Sequence, residues 1–279
     1  MLKRIITSLV ALCVLIPVLF LSDTWVLPIA VAISCFIAAY EMLKCVECLS
    51  NGWLSFPLLA FSLVSPILVR IIDSMEKYYI ALACIVFFEI IYLMAVMVFS
   101  KGAISPEKIS VSAFMTFYVV LGFSSIVLLH DYFATGKYVY LLIFVGAWIT
   151  DIFAYFCGRL FGKHKLIPEV SPKKTVEGSI GGTLFSGIAF VLFSVIAESL
   201  GVVIEQGHLT LFVFGIIAAI VAQIGDLCMS ALKRRFGIKD FGKVFPGHGG
   251  MLDRFDSIIA VAIVLLILNT VVVNLYGCL

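Results

Sequence analysis

Long apolar runs alternate with short polar segments along the chain, and nine of these runs are long enough to cross a bilayer as helices. An α-helix rises about 1.5 Å per residue, so about 20 residues cover the roughly 30 Å of hydrocarbon in a membrane. Transmembrane β-strands would be alternating segments of about ten residues, whereas these runs are apolar on every face. The pattern predicts an all-α polytopic membrane protein with spans at residues 5–22, 24–43, 53–72, 78–99, 109–129, 138–157, 178–198, 209–229 and 257–276.

The first apolar run has two possible interpretations. Lys3 and Arg4 precede it, as basic residues precede the apolar core of a secretory signal peptide. No cleavage site of the A-x-A type follows, and the second span begins almost at once. We therefore interpret the first run as a retained transmembrane helix.

The distribution of basic residues predicts the orientation. If the N-terminus lies in the cytoplasm, 16 of the 19 lysines and arginines fall in inner segments, and only Arg70, Lys77 and Lys137 lie outside. Positive charge is retained on the cytoplasmic side of membrane proteins. We therefore expect a cytoplasmic N-terminus, nine spans and a C-terminus outside.

Composition supports a membrane protein and excludes two other classes. The chain is 63% hydrophobic and 13% charged, against roughly half and a quarter in soluble domains, so its charged groups are too few to cover a soluble surface. A formal charge of +2 excludes a polybasic nucleic-acid-binding protein. We expect an N-terminal part, residues 1–137, with five spans, and a C-terminal part, residues 138–279, with four. Two long inner loops, 158–177 and 230–256, hold 11 of the 16 inner basic residues.

Two isolated features carry less information. Cys45 and Cys48 form one C-x-x-C pair, which is half of a zinc site or a redox pair, but no second pair or nearby histidine completes it. We interpret them as incidental thiols. Glu89 lies deep in the fourth span, where an interhelical hydrogen bond and a functional role are equally good explanations.

Three acidic residues bracket the second inner loop. Asp226 lies near the inner end of span eight, and Asp253 and Asp256 lie three apart where span nine begins, on one face of a helix. Three converging carboxylates would suit Mg²⁺, which prefers oxygen ligands. The alternative is that they cap helices or pair with neighbouring cations. Asp226 favours the metal site, because an acid near the hydrocarbon needs a partner or a function.

The same loop combines glycines with cations. Gly-rich backbone can approach phosphate oxygens closely, and clustered cations neutralise a triphosphate. A mobile loop has the same glycine content, and basic residues also anchor topology, so neither feature is specific alone. The residues concerned are Lys233, Arg234, Lys239, Gly242, Gly247, His248, Gly249, Gly250 and Arg254.

The first inner loop holds a second candidate phosphate site. Lys173 and Lys174 can neutralise phosphate, and the Thr175 hydroxyl can donate to it at the entry of span seven, where a helix N-terminus attracts anions. The stretch is not a Walker A motif. Asp151, at the inner end of span six, resembles Asp226 in position and is expected in the same polar cluster.

These loops resemble the phosphatidate cytidylyltransferase family, also called CDP-diacylglycerol synthases. The resemblance is specific over about residues 147–257, whereas the first five spans match only in being apolar. The upstream stretch from Ser171 to Thr175, with Glu177 and Gly178, is similar to a second family motif. The C-terminal signature matches in identity and spacing at Ser230, Lys233, Arg234, Lys239, Asp240, Pro246, His248, Gly249, Gly250, Asp253, Arg254 and Asp256.

The resemblance implies a Mg²⁺-dependent nucleotidyltransferase that converts CTP and phosphatidate into CDP-diacylglycerol and pyrophosphate. Asp226 and Asp253 would then hold metal on the CTP phosphates, with Asp256 as a third ligand or its neighbour, and with Mg²⁺ alone or beside a second cation. The triphosphate and the lipid phosphate would be divided among Lys173, Lys174, Lys233, Arg234 and Arg254. Ser171, Thr175, Lys239, Gly249 and Gly250 would contact phosphate, and His248 either binds pyrophosphate or, as we favour, shapes the loop.

The resemblance also implies a homodimer with its active site at the cytoplasmic face. The compact form without a soluble extension is typical of a bacterial protein, so we expect it in the bilayer of a plasma membrane. Two rivals stay open from the residues alone. A transporter or flippase of a phosphorylated solute could use the same basic pocket, although it would place polar residues at mid-bilayer on several helices. A CTP-dependent polyprenol kinase could have a similar pocket, and only substrate tests separate it.

Overall fold

The computed structural model describes residues 2–202 and 206–277, and helices form most of this part of the chain. A short two-stranded sheet interrupts the helices between α7 and α8. The helices are α1 Leu2–Phe20, α2 Val26–Cys45, α3 Gly52–Ile71, α4 Met75–Phe99, α5 Pro106–Asp131, α6 Gly136–Val139, α7 Leu141–Phe161, α8 Val176–Ser199, α9 His208–Arg235 and α10 Leu252–Gly277. The strands are β1 Lys165–Ile167 and β2 Ser171–Thr175.

The helices confirm the all-α membrane architecture. Eight helical stretches in the described residues are long and apolar enough to cross a membrane, with α6 and α7 joining into the single stretch Gly136–Phe161. The remaining predicted span, 5–22, coincides with α1. The orientation of the two termini stays a prediction.

Side-chain caps fix the starts of three consecutive helices. Asn51 accepts a hydrogen bond from the amide of Leu54 at α3, Ser74 caps α4 and Ser105 caps α5. A capping oxygen satisfies one of the amides that the first helical turn leaves without a partner. The boundaries of the apolar runs are thus set by short polar residues.

The chain divides into two compact units. The first unit contains residues up to Tyr132 together with Arg235–Arg254, and the second contains Phe133–Arg234 together with the chain from Phe255 onward. The segment between α9 and α10 therefore belongs with the N-terminal helices. The functional division into residues 1–137 and 138–279 stays a prediction.

In the first unit, α2, α3 and α5 pack against one another. Small residues of α2, including Ala38 and Ala39, are completely buried and let the neighbouring backbones approach. Ser65 of α3 exchanges hydrogen bonds with Ser124 of α5 at 3.1 Å and with Tyr78 of α4 at 3.2 Å. Most of α4 lies outside this core, since its buried residues are Tyr78 and Leu93.

An arginine ties one end of this first unit together. The guanidinium of Arg70 on α3 donates to both carboxylate oxygens of Asp131 at the end of α5, at 2.8 and 2.5 Å. It also donates to the carbonyl oxygens of Ser22 and Thr24, in the turn between α1 and α2. Two-point pairing to a carboxylate is the geometry in which arginine binds best.

In the second unit, α7 and α8 cross closely because glycines line the crossing. A Cβ at Gly178 would lie 2.5 Å from the carbonyl oxygen of Ala154, and one at Gly182 would lie 2.6 Å from that of Thr150. The rings of Phe153 and Phe185 stack beside them. Any side chain at these glycines would force the two backbones apart.

The two strands form an antiparallel hairpin that leads into α8. Lys165 pairs with Thr175 and Ile167 with Ser171. Thr175 then caps α8, its hydroxyl oxygen accepting a hydrogen bond from the amide of Gly178 at 3.2 Å. The strand that carries the two adjacent lysines is therefore fixed directly to a helix N-terminus.

Candidate active site

An ion pair joins the hairpin to α9 inside the second unit. The ammonium nitrogen of Lys174 on β2 lies 2.5 Å from Oδ2 of Asp226. The nitrogen itself is inaccessible to solvent and is not aligned for a good hydrogen bond, so this contact is an ion pair rather than a hydrogen bond. Asp226 thus has the partner that a carboxylate at this depth of the helix requires.

Further charges surround Asp226 and form the cluster that we call the acid–base cluster: Lys174, Asp226, Lys233 and Asp256. The negative charges of Asp226 and Asp151 repel the Asp256 carboxylate, and Lys233 attracts it. The Ser230 hydroxyl lies 3.4 Å from Oδ1 of Asp226. Asp151 and Asp226 thus both act electrostatically on Asp256, and the expected association of Asp151 with Asp226 itself stays a prediction.

Helix α9 runs further than its apolar pattern suggested and includes Lys233 and Arg234. Both residues were expected in a loop. A helix holds them in a fixed relation to Asp226, and Lys233 follows it by two turns. Arg234 is exposed, whereas Lys233 is half-buried.

A contact between a carboxylate and an imidazole also holds the hairpin in place. The imidazole Nδ1 of His164 lies 2.7 Å from Oε1 of Glu177, and the His164 amide donates to both carboxylate oxygens. Glu177 lies in the first turn of α8, where an acid also interacts well with the helix dipole. Three further hairpin residues were predicted to bind phosphate. Lys173 is exposed, Ser171 is half-buried, and Thr175 serves as the helix cap.

The first unit carries a separate basic cavity. Residues 236–251, which we call the glycine-rich segment, connect α9 to α10 and belong to this unit. They line a cavity of about 620 Å³ together with Arg254. The lining residues are Lys239, Asp240, Gly242, Lys243, Phe245, Pro246, Gly247, His248, Gly249 and Arg254. Four of the predicted phosphate-binding residues, Lys239, His248, Gly249 and Arg254, therefore share one cavity.

Asp253 supports the wall of this cavity. Its Oδ2 atom accepts hydrogen bonds from the amides of Phe241, at 2.7 Å, and Gly250, at 2.9 Å. Gly249 has a φ of +92°, a backbone conformation that residues with a side chain rarely adopt. A Cβ at this position would lie 2.8 Å from the same Asp253 oxygen. Asp253 thus holds main-chain amides of the glycine-rich segment, a contact that the sequence did not predict.

Glu41 on α2 is a site residue that sequence reasoning missed. Its carboxylate accepts hydrogen bonds from the amides of Met251 and Leu252, at 3.1 and 2.9 Å, where α10 begins. The residue is only 3% exposed. The signal was present, because Glu41 is an acid at the end of an apolar span, as Asp151 and Asp226 are.

The donor set fits a magnesium ion that shares its coordination with substrate. Mg²⁺ is commonly held by one or two carboxylates, with water and phosphate oxygens completing the shell. Asp226 and Asp256 supply such a pair, and the ion pair with the Lys174 ammonium shows that Asp226 is placed to bind positive charge. Within residues 2–202 and 206–277, no three acidic, histidine or cysteine side chains converge closely enough to hold a metal alone. The ligand set Asp226, Asp253 and Asp256 stays a prediction.

The helices and the two charged regions define a multi-pass membrane protein with polar chemistry suited to phosphate groups. Residues 2–272 match the model of the cytidylyltransferase family. The chain belongs to this family.

Curated relatives agree over most of the chain. A phosphatidate cytidylyltransferase of Staphylococcus saprophyticus is 34% identical over 265 residues, covering 91% of this chain and 93% of the relative. That of Bacillus subtilis is 33% identical over 189 residues, 68% of this chain and 66% of the relative. That of Aquifex aeolicus is 46% identical over 121 residues, 43% of each chain.

Proposed function

We propose that this protein is a phosphatidate cytidylyltransferase, which transfers CMP from CTP to phosphatidate and releases pyrophosphate. Family membership supports a cytidylyltransferase, and the full-length relatives are named for phosphatidate as substrate. The observation that carries the proposal in this chain is the acid–base cluster, in which Lys174, Asp226, Lys233 and Asp256 collect at the end of α9 and the hairpin.

The reaction needs positioning and charge neutralisation more than proton transfer. A phosphate oxygen of phosphatidate attacks the α-phosphorus of CTP, a new P–O bond forms, and the bond to the β-phosphate oxygen breaks to release pyrophosphate. The attacking oxygen is already anionic, because a phosphate monoester has its second pKa at about 6. No general base is required, and the task is to bring two anions together.

The cations of the second unit are placed for that task. Lys174 pairs with Asp226, and Lys233 attracts the Asp256 carboxylate. Lys173 and Arg234, which adjoin these two lysines in the sequence, are exposed. Asp226 and Asp256 would hold Mg²⁺, joined by Asp253 on the family resemblance. The ion, when bound, would neutralise phosphate charge and polarise the α-phosphorus.

The cavity of the first unit would bind further phosphate. Lys239, Lys243 and Arg254 supply positive charge, and Gly247 and Gly249 carry no side chain that would keep a phosphate away from their own main chain. His248 lines the same wall, where its amide donates to the carbonyl of Phe245 within the turn. This contact supports the interpretation of His248 as a residue that shapes the segment.

We further propose that the active site faces the cytoplasm of a bacterial plasma membrane. The 16 to 3 bias of basic residues supports this orientation, because CTP is a cytoplasmic solute and positive charge stays inside. A lipid bilayer is also required by phosphatidate, whose acyl chains stay in the membrane while its head group reacts.

A homodimer is the proposed assembly. The support in this chain is α4, which exposes large apolar side chains such as Phe87, Phe88 and Met94 over most of its length. Lipid can cover this face, as can a second copy. Cross-linking through single cysteines on α4 in native membranes measures which occupant is present, and a monomer-only pattern would reject the dimer.

The activity is tested with two radiolabels. Purified protein in nanodiscs receives CTP, Mg²⁺ and phosphatidate, with ³²P at either the α- or the γ-phosphate. We expect the α-label in the lipid product and the γ-label in pyrophosphate. A CTP-dependent polyprenol kinase would instead move the γ-label to added polyprenol. No label in any lipid would reject the proposed function.

A further inference from the structure

The position of Glu41 is unusual for a charged residue. It lies on α2, near the end of an apolar helix, yet its side chain is almost fully buried in the first unit. A buried carboxylate must be compensated by strong hydrogen bonds. Its partners lie about 210 positions later in the chain, so this contact determines how a distant segment folds onto α2.

The partners are the amides of Met251 and Leu252, at the point where the glycine-rich segment becomes α10. The first amides of a helix have no partner within the helix, and a carboxylate there acts as a cap. Glu41 is therefore a cap supplied by another helix. It fixes both the end of the segment and the first turn that carries Asp253.

Two glycines of the segment make room for this carboxylate. A Cβ at Gly242 would lie 2.0 Å from Oε1 of Glu41, and one at Gly250 would lie 2.3 Å from each carboxylate oxygen. Any side chain at either position would displace Glu41 from its amides. The absence of side chains at 242 and 250 is thus explained by packing against Glu41 rather than by contact with phosphate.

Asp253 continues the same arrangement. Glu41 holds the amides of residues 251 and 252, while Asp253 holds those of Phe241 and Gly250. The two carboxylates thereby fix both ends of the segment that lines the basic cavity. Thr7 of α1 adds a hydrogen bond to the carbonyl of Pro246 at its tip.

We infer that Glu41 is a positioning residue for the glycine-rich segment, holding Asp253 and the cavity cations in their working arrangement from a distant helix. The consequence for turnover rests on the proposed function, whereas the consequence for the segment does not. The Glu41 carboxylate binds main-chain amides, and we assign it no part in phosphate binding.

The test compares Glu41→Gln with Glu41→Met. Glutamine keeps one acceptor oxygen and turns an NH₂ group toward the other amide, and methionine offers neither oxygen. We expect hydrogen exchange at residues 239–252 to accelerate roughly 10-fold in Glu41→Gln and further in Glu41→Met, since a lost cap exposes the segment to local opening. Turnover should fall in the same order, by roughly 10- to 100-fold. Partial rescue by glutamine is the mark of a positioning hydrogen bond.

The matched control is Glu47→Gln. Glu47 follows the same helix but is exposed and pairs with Lys108, so this variant should keep wild-type exchange and turnover. A second variant, Gly242→Ala, keeps glutamate at position 41 but places a methyl group where its carboxylate lies. It should accelerate exchange at 251 and 252 as Glu41→Gln does, and the double variant should be no worse than either single one.

Three outcomes separate the proposals. Wild-type exchange in both Glu41→Gln and Gly242→Ala would overturn the positioning role, whatever the activity. Additive effects in the double variant would also overturn it. If wild-type protein makes no CDP-diacylglycerol but the exchange results appear as expected, the proposed function fails and the positioning role stands. If Glu41→Met does not fold, Gly242→Ala provides the same exchange measurement.

Discussion

In the first unit Glu41 and Asp253 hold main-chain amides, whereas in the second unit Asp226 pairs with a charged side chain, that of Lys174. Glu41 and Asp253 accept four backbone hydrogen bonds between them and are buried. Lys174 and Asp226 are each about a quarter exposed. A buried carboxylate on fixed amides maintains a structure, while a partly exposed ion pair can exchange its partner for substrate or metal. We therefore expect replacement of Asp226 to alter chemistry and replacement of Glu41 or Asp253 to alter conformation.

The largest expected effect is that of Asp226→Asn. This substitution removes the negative charge that Lys174 and the proposed Mg²⁺ require. Turnover should therefore fall by about 100- to 1000-fold, as for a lost charge-stabilising group. Asp73→Asn, at an exposed acid, is the matched control. Wild-type turnover in Asp226→Asn would remove its role in the reaction.

Asp253→Asn sharpens the same contrast. An asparagine keeps one oxygen but places an NH₂ group near the amides of Phe241 and Gly250, so loss of activity there would mix a conformational effect with any effect on metal. For this reason Asp226 is the better test of metal binding.

Lys174→Met is expected to have the next largest effect. It leaves Asp226 without its ion-pair partner and removes a charge from the phosphate site, so we expect turnover to fall by roughly 10- to 100-fold. Lys165→Met, on the other strand of the hairpin, provides the control because that lysine is exposed. Steady-state kinetics with CTP and phosphatidate varied in turn measure both variants. Equal rates in the two would show that the ion pair is dispensable.

Gly178→Ala should destabilise the second unit. A Cβ there meets the Ala154 carbonyl at 2.5 Å and the Thr175 hydroxyl at 2.9 Å, so α7 and α8 must separate at the hairpin. We expect a loss of about 1–3 kcal/mol in stability, typical of an overpacked site. Gly52→Ala, where no other atom lies within 4 Å, should be nearly neutral. Thermal denaturation in detergent compares them, and equal melting temperatures would contradict the close crossing.

The smallest expected effect is that of the Glu47–Lys108 pair. The hydrogen bond from Lys108 holds the pKa of the Glu47 carboxyl below its ordinary value of 4.5. A lowered pKa in the fold contributes stability above the unfolded value and loses it as pH falls through the folded one. Any contribution should therefore be complete above pH 4.5 and decrease as the pH falls below it, and screening keeps it small at such an exposed site. Melting curves of Glu47→Gln and wild type at pH 4 and pH 7 measure it, and a large difference at pH 7 would be unexpected.

The apolar pattern predicted the helices because burial in lipid requires about 20 apolar residues wherever a helix crosses. It did not predict the hairpin, since the stretch from Ser171 to Thr175 is polar and shows no alternation. The pairing of Lys174 with Asp226 depends on that hairpin and could be inferred only as a shared polar region.

The position of the glycine-rich segment was not predictable either. Sequence neighbours suggested that it belongs with α9 and α10, yet it lies in the first unit with α1 and α2. Contacts from Thr7 and Glu41 place it there. Such contacts between distant residues leave no periodic signal, and a single acid near Lys44 resembles an ordinary interfacial charge.

Helix α9 has one more consequence, which concerns depth in the membrane. Its 28 residues measure about 42 Å, against about 30 Å of hydrocarbon. Its charged residues lie toward the C-terminal end, so in a membrane the extra length would extend at that end. Lys233 lies about 10 Å beyond Asp226 along the helix axis, which would bring it closer to the lipid phosphates. In the proposed reaction phosphatidate would therefore stay in its leaflet, and CTP would reach the site from the aqueous side.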